Sequence, residues 1–435
     1  MNQSRPWKAA CGAAALTSLL FVVVYNVCNR VTHVRPDVGV WAFQWESLWP
    51  LVPAMIVPYW SIDLLFVFAP FICTTKDEVT VYRRRIVFVI CGAALGFLLI
   101  PLRFAFPRPE VHGFFAPWFA ALYTFDFPHN LFPSLHIALR TVLTAHYVGR
   151  SRGVWRTVVH CWFSLIGLST LLTWQHHLVD ILGGFWLAAI ALHLFQVDEP
   201  ARPRVRNWAM VGIYGLIAVI CTQLSRLAWP WTFILVWPAF AFGTAAFGYA
   251  GYGSIYRKSQ GRLTFVTKLL FGPLLAAQWI SWQYYRRQSA RWSQLTPRVW
   301  LGPVLRDDEA SAAIAAGVTA VLDLTVEFSR PRPFENVRYL NLPVLDLTAP
   351  SESQRKMAVA FIERESAQGI VFIHCKAGYS RTAGIAAAWL LATERAKNPG
   401  EAFAQLIKVR PKIVIRPEIH AAFAVANNTA KPAGG

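Results

Sequence analysis

The chain has 435 residues, of which 55% are apolar and only 15% charged, with 19 tryptophans and a net charge of +19. Intrinsic disorder needs low hydrophobicity and is excluded, and seven cysteines are too sparse for a disulfide scaffold. Charged residues are 32 of the first 285 but 33 of the last 150, so an apolar front precedes a soluble back.

A bilayer core of about 30 Å is crossed by about 20 apolar residues in a helix. The sequence predicts spans near 9–28, 51–73, 86–105, 133–149, 156–175, 178–196, 207–225 and 228–250. The first lacks a small-residue cleavage site and reads as a retained span rather than a removed signal peptide. Basic residues fill every second connection: Arg5 and Lys8; Lys76 with Arg83, Arg84 and Arg85; Arg150, Arg152 and Arg156; Arg202, Arg204 and Arg206; Arg257, Lys258 and Arg262. Lys and Arg are held on the cytoplasmic side, so eight spans with both ends inside are expected, in a bacterial-type inner membrane. Most of the front's excess charge then encodes orientation. Nucleic-acid binding, which wants basic residues on one soluble face, is not expected.

Ionisable side chains at membrane depth are costly and mark sites. His136 lies in Phe132-Pro-Ser-Leu-His-Ile-Ala-Leu-Arg140, and His176 and Asp180 lie in Thr173-Trp-Gln-His-His-Leu-Val-Asp180. The i to i+4 spacing predicts His176 and Asp180 on one helical face, the carboxylate holding one imidazole nitrogen and leaving the other as nucleophile. His136 begins another span at the same outer face and suits an acid for the leaving group. His177 has no carboxylate at i+4 and reads as packing or lining the pocket rather than acting. Asp63 in the second span either lines the cavity or holds a helix pair.

The pattern resembles the type 2 phosphatidic acid phosphatase (PAP2) superfamily, with a core over about 45–196. That family's Pro-Ser-Gly-His motif corresponds to Pro133-Ser-Leu-His136, and its Ser-Arg, five residues, His, three residues, Asp motif to Ser169-Thr170 through His176 and Asp180. Leu135 replaces Gly, and Thr170 replaces the phosphate-binding Arg. Arg108-Pro109 of the first motif is present, but Pro101 stands where a Lys belongs. Arg103, Arg108 and Arg140 are the candidates to replace the missing cations. Such gaps are similar to the inositol-phosphorylceramide and sphingomyelin synthase branch. The resemblance implies a helix bundle that handles a lipid phosphate, by hydrolysis or by headgroup transfer. The alternative is a lipid-binding or anchoring module that has lost catalysis.

The stretch from Leu263 to Tyr285 could form a ninth span. However, Thr264, Thr267, Lys268, Gln278 and Ser281 fall on one polar stripe at helical spacing, and arginines flank both ends. A helix in the cytoplasmic interface is favoured over a span, which keeps the tail cytoplasmic.

The tail carries Val371-Phe-Ile-His-Cys-Lys-Ala-Gly-Tyr-Ser-Arg-Thr-Ala-Gly384, an apolar strand running through a Gly-containing turn into an Ala-rich helix. Loop amides and a helix N-terminus make an anion site. Cys375 at its start is a candidate nucleophile, and Arg381 is a candidate for a bidentate grip on phosphate. The other six cysteines lie in apolar stretches and read as packed. From Val299 to Val425 the chain resembles the cysteine-dependent, dual-specificity-type phosphatases, with His374, Cys375, Gly378, Arg381 and Thr382 at the signature spacings. The resemblance implies a cysteinyl-phosphate intermediate, Asp346 as the acid in preference to Asp323, and Thr382 assisting the thiolate as leaving group. The loop Cys375-Lys-Ala-Gly is similar to that of lipid-directed members, with Lys376 facing a multiply charged headgroup.

The expected organisation is a polytopic α-helical membrane domain (1–251) with a PAP2-like helix bundle, a basic linker with an interfacial amphipathic helix (252–292), a soluble α/β cysteine-phosphatase domain (293–425) and a flexible tail (426–435). No metal or cofactor is implied. The expected partners are the bilayer and a lipid-phosphate substrate, with a phosphoprotein as the alternative.

Overall fold

The computed structural model describes residues 5–197, 206–227, 231–252 and 255–429. Arg202, Arg204, residues 228–230 of the eighth expected span and 430–435 of the expected tail lie outside the described residues. The chain divides into two compact units, Met1–Pro200 and Ala201–Gly435. The expected boundary was 251; the last apolar helices group instead with the α/β domain.

The first unit is helical: α1 (Trp7–His33), α2 (Ile56–Phe68), α3 (Lys76–Leu99), α4 (Ala116–Phe125), α5 (Leu135–Val148), α6 (Val154–Leu172) and α7 (Leu178–Leu194). Thr75 and Ser134 cap α3 and α5, their hydroxyls accepting from the N–H groups of Glu78 and Ile137. Phe66, Ile86, Ile90, Phe97, Val142, Phe163 and Ile166 form its core. Two observations join the starts of α5 and α7. The Ser134 N–H donates to the Asp180 carbonyl at 2.9 Å, and a Cβ at Gly184 would lie 2.4 Å from the Ser134 carbonyl oxygen. Only glycine permits that approach.

In the second unit, α8 (Trp208–Leu227), α9 (Val236–Tyr249), a short hairpin of β1 (Lys258–Ser259) and β2 (Arg262–Leu263), and α10 (Phe265–Arg286) precede the α/β domain. Helix α10 is kinked at Phe271, two residues before Pro273. Among the described residues, three segments are long and apolar enough to cross a membrane: Trp7–His33, Pro53–Ile72 and Trp208–Leu227.

The remaining elements are β3 (Ser293–Thr296), β4 (Val299–Pro303), α11 (Asp307–Ala315), β5 (Val318–Asp323), β6 (Arg338–Asn341), α12 (Glu352–Ser366), β7 (Ile370–Cys375), α13 (Ser380–Ala392), α14 (Pro399–Val409) and α15 (Pro417–Thr429). Helix α15 thus continues past the expected tail boundary at 426. The sheet order is β3-β4-β7-β5-β6, with only β3 antiparallel. Side chains alternate across it. Leu301, Leu322, Val371 and Ile373 pack with residues of α12 and α13, while Trp300, Val321 and Phe372 pack with residues of α11. Each such burial contributes roughly 1.5–3 kcal/mol, and with both faces covered the parallel strands read as near-continuous apolar runs.

Asp323, at the end of β5, takes Lys258 Nζ at 2.7 Å and the Tyr339 hydroxyl on one oxygen, and the N–H and hydroxyl of Thr325 at 2.7 Å on the other. Burial opposes its charge, yet Lys258 and the neighbouring donors hold its pKa down at about 2. His374 is buried against Phe372, and burial pushes its pKa down to about 4. Acidification should therefore destabilise this unit in two windows. An unfolded histidine titrates near pH ~6.5, so the unfolded chain binds a proton first and stability falls from there toward pH ~4. Unfolded aspartate titrates near ~3.9, so Asp323 adds a second fall toward pH ~2. Denaturant titrations of the full-length protein across pH should show His374→Asn flattening the first limb and Asp323→Asn the second; unchanged limbs would refute the assignment.

Candidate active sites

Cys375 is the last residue of β7, the central strand, in register with Pro303 of β4. The chain then turns through Lys376 to Tyr379 and enters α13 at Ser380. Gly378 has φ +70°, and a Cβ there would sit 2.4 Å from the Gly302 carbonyl carbon, so this position needs glycine on both counts. Among the described residues, the backbone N–H groups of Ala377, Gly378 and Tyr379 donate to no acceptor. They precede a helix N-terminus, the geometry of an anion cradle.

The loop is held from outside by Arg410, at the C-cap of α14. Its guanidinium donates to the carbonyls of Gly378 at 3.0 Å, Ala377 at 3.4 Å and Ala290 at 3.1 Å, and to the hydroxyls of Ser289 and Ser293. The sequence did not single it out, because an arginine at a helix C-terminus is common.

Cys375 is buried, whereas Cys11, Cys91 and Cys161 are exposed on helices. The expectation that the other six cysteines are packed holds for Cys28 and Cys73, which are buried, and is corrected for Cys11, Cys91 and Cys161. Cys375 ends a strand inside the core of the α/β domain, whereas Cys11, Cys91 and Cys161 lie on exposed helix faces.

Arg381 is fully buried in a four-charge cluster. Its two terminal nitrogens meet Glu327 at 2.6 and 3.2 Å, Nη1 donates to the Val344 carbonyl at 2.9 Å, and Nη2 lies 3.1 Å from Asp346 Oδ1. Burial opposes the arginine's charge, but Glu327 and Asp346 push its pKa further up. Lys376 pairs with Asp346 Oδ2 and donates to Gln278 Oε1 at 2.9 Å. Burial would raise the Asp346 carboxyl, yet Arg381 and Lys376 hold it down at about 2. Thr382 Oγ1 is buried with no hydrogen-bond partner among the described residues. Arg381 and Lys376 thus meet on Asp346, Cys375 is near enough to act on the Arg381 charge, Gly378 and Thr382 belong to the same strand-loop-helix segment, and Asp323 is committed elsewhere. Glu327 and Gln278 were missed; no spacing rule marks the first, and the second reads as part of a polar stripe.

That stripe is split. Thr267 and Gln278 are buried, Lys268 is exposed, and so are the apolar Phe265, Trp279 and Ile280. A cavity of about 410 Å³ is lined by Lys258, Gln260, Gly261, Arg330, Tyr339 and Asn341, and by none of the residues of the Cys375 loop.

A cysteine ending a central parallel strand, an amide-rich turn and an arginine six residues on define the class: a cysteine-dependent phosphoric monoester hydrolase domain. Residues 299–426 match the family described as dual specificity phosphatase, catalytic domain. The human dual specificity protein phosphatase 1 is 34% identical over 124 residues, 28% of this chain and 33% of that protein. The human dual specificity protein phosphatase 2 is 33% identical over 107 residues, 24% of this chain and 33% of that protein. A crystal structure of PTPMT1 is 24% identical and covers 32% of this chain and 98% of that one, with a TM-score of 0.29. The chain spans about a third of the length of the relatives it matches.

In the first unit, a cavity of about 270 Å³ is lined by His136, His176, Asp63, Asp126, Tyr25 and Tyr59, among others. His136 stacks on Tyr59 at 4.2 Å, and its Nε2 has no hydrogen-bond partner among the described residues; nor has His176 Nδ1. The expected clasp of His176 by Asp180 is looser than the spacing implied. Helix α7 begins only at Leu178, so His176 precedes the helical face and its Nδ1 stays 3.6 Å from Asp180 Oδ2. That oxygen accepts from the His177 N–H at 2.8 Å.

His177 is the better bonded of the two. Its Nε2 accepts from the Ala105 N–H at 3.0 Å, so Nδ1 carries the proton and donates to Glu46 at 3.0 Å. The expected phosphate cations divide. Arg108 donates to the Asp126 carbonyl at 2.8 Å and lies 3.5 Å from Gln175 Oε1. Arg103 is exposed and outside the cavity, because α3 ends at Leu99 instead of running to 105. Arg140 turns to α6, where its Nε donates to the Phe163 carbonyl at 2.5 Å.

Arg410→Ala removes the hydrogen bonds that hold the Ala377 and Gly378 carbonyls and leaves those buried acceptors unpaired. We expect a loss of about 2–4 kcal/mol in stability and at least a tenfold fall in kcat, roughly what a misplaced reacting group costs. Thermal unfolding and phosphate release by the full-length variant measure both.

Proposed function

We propose that the protein is a phosphatase that acts on phosphoprotein monoesters through its C-terminal domain, with the apolar helices as a membrane anchor. The observation that carries the reading is the convergence of Cys375, Arg381 and Asp346 on one amide-lined loop. On this reading the Cys375 thiolate attacks phosphorus, an S–P bond forms, and the P–O bond to the leaving group breaks. Asp346 gives its proton to the leaving oxygen. Water then attacks the cysteinyl-phosphate, Asp346 takes its proton, and inorganic phosphate and the thiolate separate, with Thr382 donating to the sulfur. Arg381 and the loop amides hold the phosphoryl oxygens.

A phosphoprotein is preferred to a lipid headgroup for two reasons. The similar proteins bear protein-phosphatase names. Lys376, the residue that suggested a headgroup, is buried and has two protein partners, Asp346 and Gln278. A thiolate mechanism wants a reducing compartment, which supports a cytoplasmic face of a bacterial inner membrane. The three long apolar helices support the anchor.

For the first unit, the alternative of lipid binding without turnover is supported by the outward course of Arg103 and the commitment of Arg140 to Phe163. A lipid-phosphate hydrolase or headgroup transferase is the second reading, favoured by the cavity that His136 and His176 share with unpartnered nitrogens.

Cys375→Ser should abolish release of phosphate from phosphotyrosyl and phosphothreonyl peptides. Asp346→Asn should lower kcat about 10²-fold or more, the usual weight of a general acid; full activity in either variant would refute the mechanism. The first unit is read separately, by assaying phosphate release from phosphatidic acid vesicles with the Cys375→Ser protein. No release is expected, and release that disappears on adding His176→Ala would establish the second reading instead.

A further inference from the structure

Arg381 and Gln354 hold the acid loop from within the region that matches the catalytic domain, through the Val344 and Pro343 carbonyls, but further groups that hold it come from outside that region. Tyr249, at the end of α9, donates from its hydroxyl to the Asp346 carbonyl at 3.0 Å. Asn207, immediately before α8, donates from its side-chain amide to the next carbonyl, that of Leu347, at 2.8 Å. The two anchors are joined, since the Asn207 N–H donates to the Tyr249 carbonyl at 2.9 Å. Asn207 Oδ1 also accepts from the Met210 N–H at 3.2 Å, as an N-cap does.

Leu347, directly after the acid, has φ +59°. An L side chain adopts that conformation rarely and only where its surroundings enforce it. The bonds to the Asp346 and Leu347 carbonyls are such an enforcement. A third contact acts on the acid from the other side. Gln278 on α10 accepts from Lys376 Nζ at 2.9 Å and donates to the Tyr214 hydroxyl on α8 at 3.3 Å. Gln278 therefore fixes the ammonium that pairs with the Asp346 carboxylate.

We propose that Tyr249, Asn207 and Gln278 are positioning residues of the phosphatase, so that helices α8–α10 complete its active centre as well as carrying it. The proposal rests on the reading of Asp346 as the acid. Proton transfer to a leaving oxygen requires the acid within hydrogen-bond reach of it, and a loop that drifts by an ångström loses that reach. Attack by Cys375 does not depend on the loop in this way. The positioning residues are therefore needed most where the leaving group is poor.

The test uses full-length protein and two aryl monoesters, 4-nitrophenyl phosphate with a good leaving group and phenyl phosphate with a poor one. Tyr249→Phe should lower kcat on phenyl phosphate about tenfold or more while changing kcat on the nitrophenyl ester less than about threefold, with KM little altered. Asn207→Asp provides a variant that keeps the α8 cap, since aspartate caps as well as asparagine, yet removes the amide donor. It should show the same selectivity. Equal losses on the two esters, or no loss on either, would overturn the positioning role. Asp346→Asn is run alongside: if it discriminates between the esters while Tyr249→Phe and Asn207→Asp do not, only the positioning role falls. If Asp346→Asn does not discriminate, the acid assignment falls and the proposal with it.

Discussion

The C-terminal unit is organised around one buried charge balance: two carboxylates, Glu327 and Asp346, against two cations, Arg381 and Lys376. Buried ions are tolerable only when paired, and removing one partner leaves the other uncompensated at a cost of about 3–5 kcal/mol. Each member comes from a different segment. Glu327 follows β5, Asp346 lies between β6 and α12, Lys376 follows β7 and Arg381 begins α13. The pairing therefore ties the loops at the ends of these parallel strands to one point. Its net contribution to stability is small, since attraction in such clusters roughly offsets desolvation.

The same balance explains why the loop backbone must be held independently. Arg381 is already gripped bidentately by Glu327, so its orientation does not depend on an occupant of the pocket. The amide cradle has no such internal partner, and its shape is set instead by Arg410 on the Ala377 and Gly378 carbonyls and by the positive φ of Gly378. Preorganised donors of this kind need not reorganise as charge develops, which is where most electrostatic catalysis originates.

Much of this centre was legible in the sequence, because its chemistry is local. Cys375, Gly378, Arg381 and Thr382 lie within eight consecutive positions, and a strand, turn and helix N-terminus can be read from composition alone. Asp346 was placed by resemblance. Glu327, Arg410 and Gln278 were not legible, since each acts through a long-range contact that no spacing encodes. Lys258 reads in the sequence as topological charge, yet it is buried against Asp323. In the first unit the i to i+4 spacing brings His176 to 3.6 Å from Asp180 but not into a hydrogen bond, because α7 starts two residues after His176.

Charge also orders the events of the proposed reaction. With Arg381 and Lys376 beside it, Asp346 is held as a carboxylate far below neutral pH in the unliganded fold, which is the wrong form for an acid. A phosphate dianion in the amide cradle competes for both cations and adds like charge beside the carboxylate. Both changes raise the pKa of Asp346. Substrate binding would thus generate its own proton donor, and the acid would revert to a paired carboxylate, the form needed as base toward water, as the leaving group departs.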